Sequence, residues 1–333
     1  MYTNEDLNIA IEKGVFSSES VQQFQELILS QNNTVHVDEE NFRLLSGFND
    51  IFVVIASSLL LFSGAWFAST FHIFFGAAAL SLISWGLAEF FVLKRKMALP
   101  AIILLISFLA GIASMPITLM IESMPAGGTI LISVVLTALF AWLHWRRFRV
   151  PITVAAAAAA IITIILTLGL KAFPSLVEWL LPLLFVSGIS LFFIAMIWDA
   201  SDKVRQTRNS DVAFWLHLAA APLIVHPIFS FLGILTEQES LWSIGLVITL
   251  YVFLTMISLA VDRRAIMVSS LGYVLFAFST LFQTYGFVSY SFALTGIFIG
   301  ASLLLLSAFW HTSRSKVLKF IPSSIKVHLP ALS

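Results

Sequence analysis

From Asp50 to Trp310 the sequence is a succession of apolar runs, each close to the length a helix needs to cross a bilayer. A hydrocarbon core takes roughly 20 helical residues. Backbone groups inside it must find partners without water, which restricts spanning structures to helices and closed barrels. Apolar residues here are continuous rather than alternating, and a continuous run of this length selects the helix. Ten segments fit, at 50–68, 71–93, 98–120, 128–145, 151–170, 176–197, 211–235, 241–261, 265–285 and 288–310. Only Ser69 and Thr70 separate the first two, so these pair as a tight helical hairpin.

The charges between the runs alternate. Counting Lys and Arg gap by gap, one side of the membrane collects 17 and the other a single residue, Lys171. Positive charge is retained on the cytoplasmic side, so ten spans place both termini in the cytoplasm. A missed or invented span would break the alternation.

Composition agrees with that reading and narrows the chemistry. With 59% hydrophobic and 11% charged residues, the apolar surface exceeds what a soluble core of this size could cover. The 31 Phe and 9 Trp suit lipid-facing and interfacial positions. Formal charge is zero, so there is no basic field to draw nucleic acid. The chain has no cysteine, which removes disulfides, thiolate metal sites and cysteine nucleophiles. The first strongly apolar run starts near Ile51, so a cleaved signal peptide is not expected and the first span should direct insertion.

Residues 1–47 read as a separate acidic region. Eight acids face two bases, Lys13 and Arg43. Thr3 and Asp6 suit a helix start, Gly14 a helix stop, and Ser17 or Ser18 the cap of a second helix carrying Val21, Phe24, Leu27 and Ile28 at helical spacing. A short helical hairpin and the polar linker QNNTVHVDEE follow from this. Such a hairpin is too small for a core of its own and should pack on the cytosolic loops, a second copy or a protein partner. Residues 48–311 form the ten-span domain and 312–333 a basic cytoplasmic tail.

The seventh span concentrates residues a bilayer disfavours. Pro222 and Pro227 each delete a backbone N–H, freeing the carbonyls of Leu218 and Leu223, with Pro222 near the midplane. A helix broken there is the usual pointer to a transport site. A simple kink is the other reading. His217 and His226 lie on this helix ~13 Å apart along the axis and on opposite faces. They cannot share one metal, and each needs its own partner on another helix. Each is either a neutral, hydrogen-bonded histidine or a proton-titrating, ligand-contacting group.

Glu89 is the one carboxylate well inside a span other than at its start, ~6 Å from the cytoplasmic edge, while His217 is ~9 Å in. If spans two and seven are neighbours, a Glu89–His217 pair could accept a proton or hold a cation. Pairing of Glu89 with Lys94 or Arg95 is the plainer reading. Tyr273 lies at comparable depth, as a member of that layer or as packing. His72, Glu122, Gln283, Tyr285, His144 and His311 sit at span ends, where interfacial anchoring is expected. Gly296 and Gly300, and the alanine run 155–160, suit close helix packing within the bundle. Asp199, Asp202, Lys203, Arg205, Arg208 and Asp211 read as a solvated, mixed-sign loop or as a dock for the acidic N-terminal region. Asp262, Arg263 and Arg264 read as a determinant of topology. There is no phosphate loop, dinucleotide fingerprint or nucleophile elbow, so the pattern leans away from an enzyme and implies no cofactor.

The stretches ENFRLLSGFNDIF at 40–52, DVAFWLHLAAAPLIVHPIF at 211–229 and VDRRAIMVSSLGY at 261–273 resemble a group of bacterial multi-pass membrane proteins to which no activity is assigned. The resemblance implies a bacterial cytoplasmic membrane and carries over no site residue. Span number and orientation are similar to the drug/metabolite transporters, by topology alone. The expectation is an all-α, polytopic transporter-like bundle whose polar path runs around the seventh span, with Glu89, His217, Pro222, His226 and Tyr273 as proton- or substrate-binding candidates. The rival is a non-transporting scaffold or regulator acting through residues 1–47. A haem protein comes third, and would need histidines from facing helices at one depth.

Overall fold

The computed structural model describes residues 7, 10–24, 48–120, 126–202, 205, 207–231, 241–284, 291–322, 326 and 329. The chain divides into two compact units, residues 1–42 and 43–333. In the first, a helical stretch ends at Gly14, whose φ of 69° only glycine adopts freely, with Val15 N–H bonded back to the Ala10 carbonyl at 2.9 Å. Residues 18–24 resume the helix behind Ser17, whose hydroxyl accepts from Ser20 N–H at 3.1 Å while Ser20 Oγ accepts from Ser17 N–H at 3.0 Å. This reciprocal pair is a serine version of the capping box.

The second unit is built of helices joined by short turns, with no strand among its described residues. The helices are α1 (Phe48–Ser69), α2 (Ile73–Ala88), α3 (Ala98–Met120), α4 (Ala126–Phe148), α5 (Ile152–Ala172), α6 (Leu180–Ser201), α7 (Arg208–Phe231), α8 (Leu241–Val261), α9 (Ala265–Thr284), α10 (Ser291–Ala308) and α11 (Trp310–Lys319). A π-helical turn, Glu89–Lys94, extends α2, and a 3-10 turn, Pro174–Trp179, leads into α6. The first ten helices occupy the ten apolar stretches read from the sequence. Among the described residues seven of them, α1 to α7, with α2 extended by its π-helical turn, are long and apolar enough to cross a membrane, which makes this an integral membrane protein. Over the described side chains α8 and α9 offer the shorter apolar stretches Gly245–Val261 and Ala265–Ser279. The expected tenth span instead turns by 74° into α11, and these two helices count as an eighth crossing if taken together. Large apolar side chains such as Leu59, Phe62, Trp66, Ile165, Phe193 and Ile197 stand exposed on the outer faces, where lipid is their natural solvent.

Burial is uneven. In α7, 56% of the membrane-length window is buried within the protein, against 17–39% in α1 to α6. It packs between α6, α5 and α9. The alanine run of α5 serves this contact: Ala155 joins Leu191, Ala195, Val212, Leu216, Ala220 and Ile224 in one cluster, while Ala156 and Ala157 face the α3–α4 cluster around Phe108. The expected packing role of Gly296 and Gly300 is not seen among the described residues, where a Cβ at either would meet nothing within 4 Å.

Among the described residues four non-glycine positions have left-handed backbones, Lys96, Arg149, Arg205 and Asp262, with φ of 55–60°. They sit in the turns α2–α3, α4–α5, α6–α7 and α8–α9, all at the basic end of the bundle. The conformation costs ~1–2 kcal/mol per residue. It lets each chain reverse within a few residues while its N–H groups return to the preceding helix, as with Met97 N–H to Phe91 O at 3.1 Å and Arg263 N–H to Ser258 O at 3.0 Å.

Candidate functional site

The site begins with how closely α6 and α7 approach. Gly188, Leu191, Ala195 and Asp199 are the buried residues of α6, spaced three and four apart on one stripe. A Cβ on Gly188 would come within 2.9 Å of Ile224 N and the Leu223 carbonyl carbon, so only hydrogen fits there. The facing stripe of α7 carries Ser210, Ala213, His217, Ala220 and Ile224, all buried. Small residues on both sides bring the helices together, and the same stripes carry Asp199 to His217. Asp199 Oδ2 lies 2.9 Å from His217 Nε2.

A tight turn supplies the cation. Asp262 and Arg263 follow α8 directly, and their side chains diverge. Arg263 reaches back to Asp199, with Nη2 2.6 Å from Oδ1 and Nε 3.3 Å from Oδ2, a bidentate fork. Its Nη2 also donates to Ser210 O and Ser210 Oγ, both at 3.1 Å, and Ser258 Oγ donates to its carbonyl. His217 is 0% exposed, Asp199 and Arg263 1% each. His217 meets Phe192 edge to face, ring centroids 5.1 Å apart, and its Nδ1 has no hydrogen-bond partner among the described residues.

Asp262 gathers a second set. Arg205 Nη1 lies 2.9 Å from Asp262 Oδ2 and its Nη2 donates to the Asp262 carbonyl at 3.0 Å. Trp310 Nε1 donates to Asp262 Oδ1 at 2.8 Å, and Arg314 Nε lies 3.6 Å from the same oxygen. Arg264 stacks over the Trp310 ring at 4.8 Å. Burial pushes the Arg205 guanidinium below its usual value, with Arg263 adding to the effect and Asp262 and Asp199 opposing it. One two-residue turn thus ties α6 and α7 on one side and α11 on the other, through charges withdrawn from water.

The expected site residues fall in different places. Glu89 does not meet His217; it forks Arg147 on α4, at 2.9 Å to Nε and 2.7 Å to Nη2, on a partly exposed surface. Tyr273 donates or accepts at His226 Nδ1, 2.6 Å away, and stacks on Phe229 at 4.6 Å, so it belongs with His226 rather than with Glu89. The two histidines take partners on different helices, α6 and α9. Pro222 is exposed and Pro227 buried, and α7 runs helical through both from Arg208 to Phe231. The expected break into two half-helices is absent: the helix passes two missing N–H groups without unwinding.

Three expectations at span ends are corrected. The Asp199–Asp211 stretch is not a solvated loop, because Asp199, Asp202 and Arg205 are buried and Asp202 Oδ2 accepts from Thr207 N–H and Oγ1 at 2.7 Å each. The Asp262–Arg263 pair is part of a buried cluster rather than only a topology signal. His144 is no interfacial anchor: it is 1% exposed, packed on Phe148 at 4.5 Å and 3.3 Å from Thr153 Oγ1. His72 is exposed and caps α2, its Nδ1 accepting from Phe74 N–H at 3.2 Å. Glu122, Lys203, Tyr285 and the Gln283 side chain lie outside the described residues, as does most of the expected N-terminal hairpin.

The chemistry available to this arrangement is proton exchange between a carboxylate and an imidazole beside a fixed guanidinium. Among the described residues no three His, Asp or Glu side chains converge as a metal would require. No protein-family model matches the chain, no curated protein is significantly similar to it, and no solved structure matches it.

Proposed function

We propose that this is a ten-span, proton-coupled secondary transporter of a bacterial cytoplasmic membrane, with both termini cytoplasmic and Asp199–His217–Arg263 as its coupling centre. One observation carries the reading. A carboxylate, an imidazole and a guanidinium are withdrawn from water around α7, the most buried of the seven membrane-length helices among the described residues. Such a cluster is a poor stability device, since desolvation costs several kcal/mol per ion and cancels most of the attraction. Ionisable groups at membrane depth usually mark a pathway for protons, ions or substrate. Asp199 is shared between a titratable partner and a permanent cation, so a proton arriving at the carboxylate weakens its grip on Arg263. That releases the α8–α9 turn from the ends of α6 and α7 on the side where the basic turns lie. His226 on α7 and its partner Tyr273 on α9 continue the polar positions away from that end.

The test is proton flux into proteoliposomes enclosing a pH-sensitive dye, driven by an imposed potential, for wild type, Asp199→Asn and His217→Gln. Wild type should acidify the lumen and both variants should lose that flux while remaining monodisperse in detergent. Equal flux in all three would overturn the assignment. The scaffold reading keeps one support, the separate compact unit at residues 1–42. It predicts that deleting 1–40 abolishes function in cells without affecting flux.

A further inference from the structure

A second feature lies in the other part of the bundle, away from the ion cluster. Helices α2, α3 and α4 enclose an open cavity of about 770 Å³. Its walls are apolar, with Leu82, Trp85, Ile112, Met115, Leu136 and Phe140 among them, and its one hydroxyl, Ser81 Oγ, is already bonded to the Phe108 carbonyl at 3.2 Å. The cavity ends at two cations, Arg146 and Arg147. Arg147 is held by Glu89, which the π-helical turn of α2 carries toward α4. Turns of this kind are uncommon and occur often at functional positions. Arg146 is exposed, lies over the Trp142 ring at 5.1 Å, and among the described residues has no carboxylate partner.

We infer that this cavity is a binding site for one anionic phospholipid, with an acyl chain in the groove and the phosphate on Arg146. Dimensions and charge both select that occupant. From Leu136 to Arg147 the helix rises ~16 Å, about half of a 30 Å hydrocarbon core, which is the depth of a single leaflet. The groove is therefore apolar over the reach of one lipid chain and cationic where the headgroup lies. Glu89, Arg146 and Arg147 together leave one net positive charge, matching a singly charged phosphodiester. Basic pockets between membrane helices on this side recognise acidic headgroups in the same way. The inference needs only that the protein spans the membrane and stands apart from the transport reading.

Retention of lipid by the purified full chain in detergent, read by native mass spectrometry, decides it. The probes are phosphatidylglycerol and phosphatidylcholine of matched chains, added at equal concentration. Wild type should retain phosphatidylglycerol on the order of ten-fold better, the worth of one charge-assisted contact. Arg146→Gln, at an exposed position, should bring that ratio close to one. Met115→Trp, or Leu136→Phe if the first misfolds, fills the groove and should lower retention of both lipids. Equal retention of the two lipids by wild type, an unchanged ratio in Arg146→Gln, or wild-type retention by a folded groove-filled variant would each overturn the inference.

Discussion

Replacing Arg263 with Met removes the buried cation while keeping most of its volume. Asp199 would then be left 1% exposed with only His217 beside it, and Ser210 O and Oγ would lose a donor. Removing one partner of a buried pair typically costs ~3–5 kcal/mol, because the remaining charge stays desolvated. At ~2–4 °C per kcal/mol for a domain of a few hundred residues, the melting temperature should fall on the order of 6–20 °C. The double variant Asp199→Leu, Arg263→Met removes both charges, and such replacements are often neutral. It should recover most of the loss, leaving a coupling of several kcal/mol between the two sites. Fluorescence-detected size-exclusion chromatography after graded heating, in one detergent, measures wild type, Arg263→Met, Asp199→Leu alone and the double variant. Melting of Arg263→Met within about 2 °C of wild type, or a double variant no more stable than either single one, would show that the two charges are not coupled.

Other perturbations separate the buried contacts from the superficial ones. Gly188→Ala forces a Cβ to within 2.9 Å of the α7 backbone, so it should destabilise by ~1–3 kcal/mol through overpacking, while Gly86→Ala, where nothing lies within 4 Å, should not. Trp310→Phe deletes the 2.8 Å donor to Asp262 and should free α11, seen as faster proteolysis between α10 and the tail. Glu89→Gln breaks a fork that water already screens, and its melting temperature should match wild type in the same assay. Tyr273→Phe removes the 2.6 Å contact with His226 without opening a cavity, so stability should hold while proton flux falls.

Much of the helix plan was legible because each apolar run is bounded by charge or by a short polar turn. The separation of His217 from His226 was legible too, since 100° per residue places them on different faces, and they take different partners. The ion cluster was not. Hydropathy ends the sixth span near Ile197, at the first charged residue, whereas α6 continues to Ser201 with Asp199 turned inward on the Gly188–Leu191–Ala195 stripe. Extending that stripe by one more turn would have placed Asp199 against α7. Arg263 was hidden differently: counted as one more positive charge for topology, it is buried by a left-handed turn at Asp262, a residue type that tolerates that conformation without marking where the chain will use it. Pro222 and Pro227 misled in the other direction, because membrane helices tolerate proline that would break a helix in water.

Protonation at Asp199, in the proposed function, releases the lock around α7 on its basic side. The chain has no cysteine, so a single thiol at Ala213, one turn from Ser210 and 0% exposed, reports on that region alone. Its labelling by a membrane-impermeant thiol reagent, in oriented membrane vesicles, should be slow in the otherwise wild-type chain and much faster when Asp199→Asn is added. It should also accelerate in the wild-type background under an imposed pH gradient. Equally slow labelling in both backgrounds, with and without the gradient, would show that the cluster is a fixed part of the bundle and contradict the account.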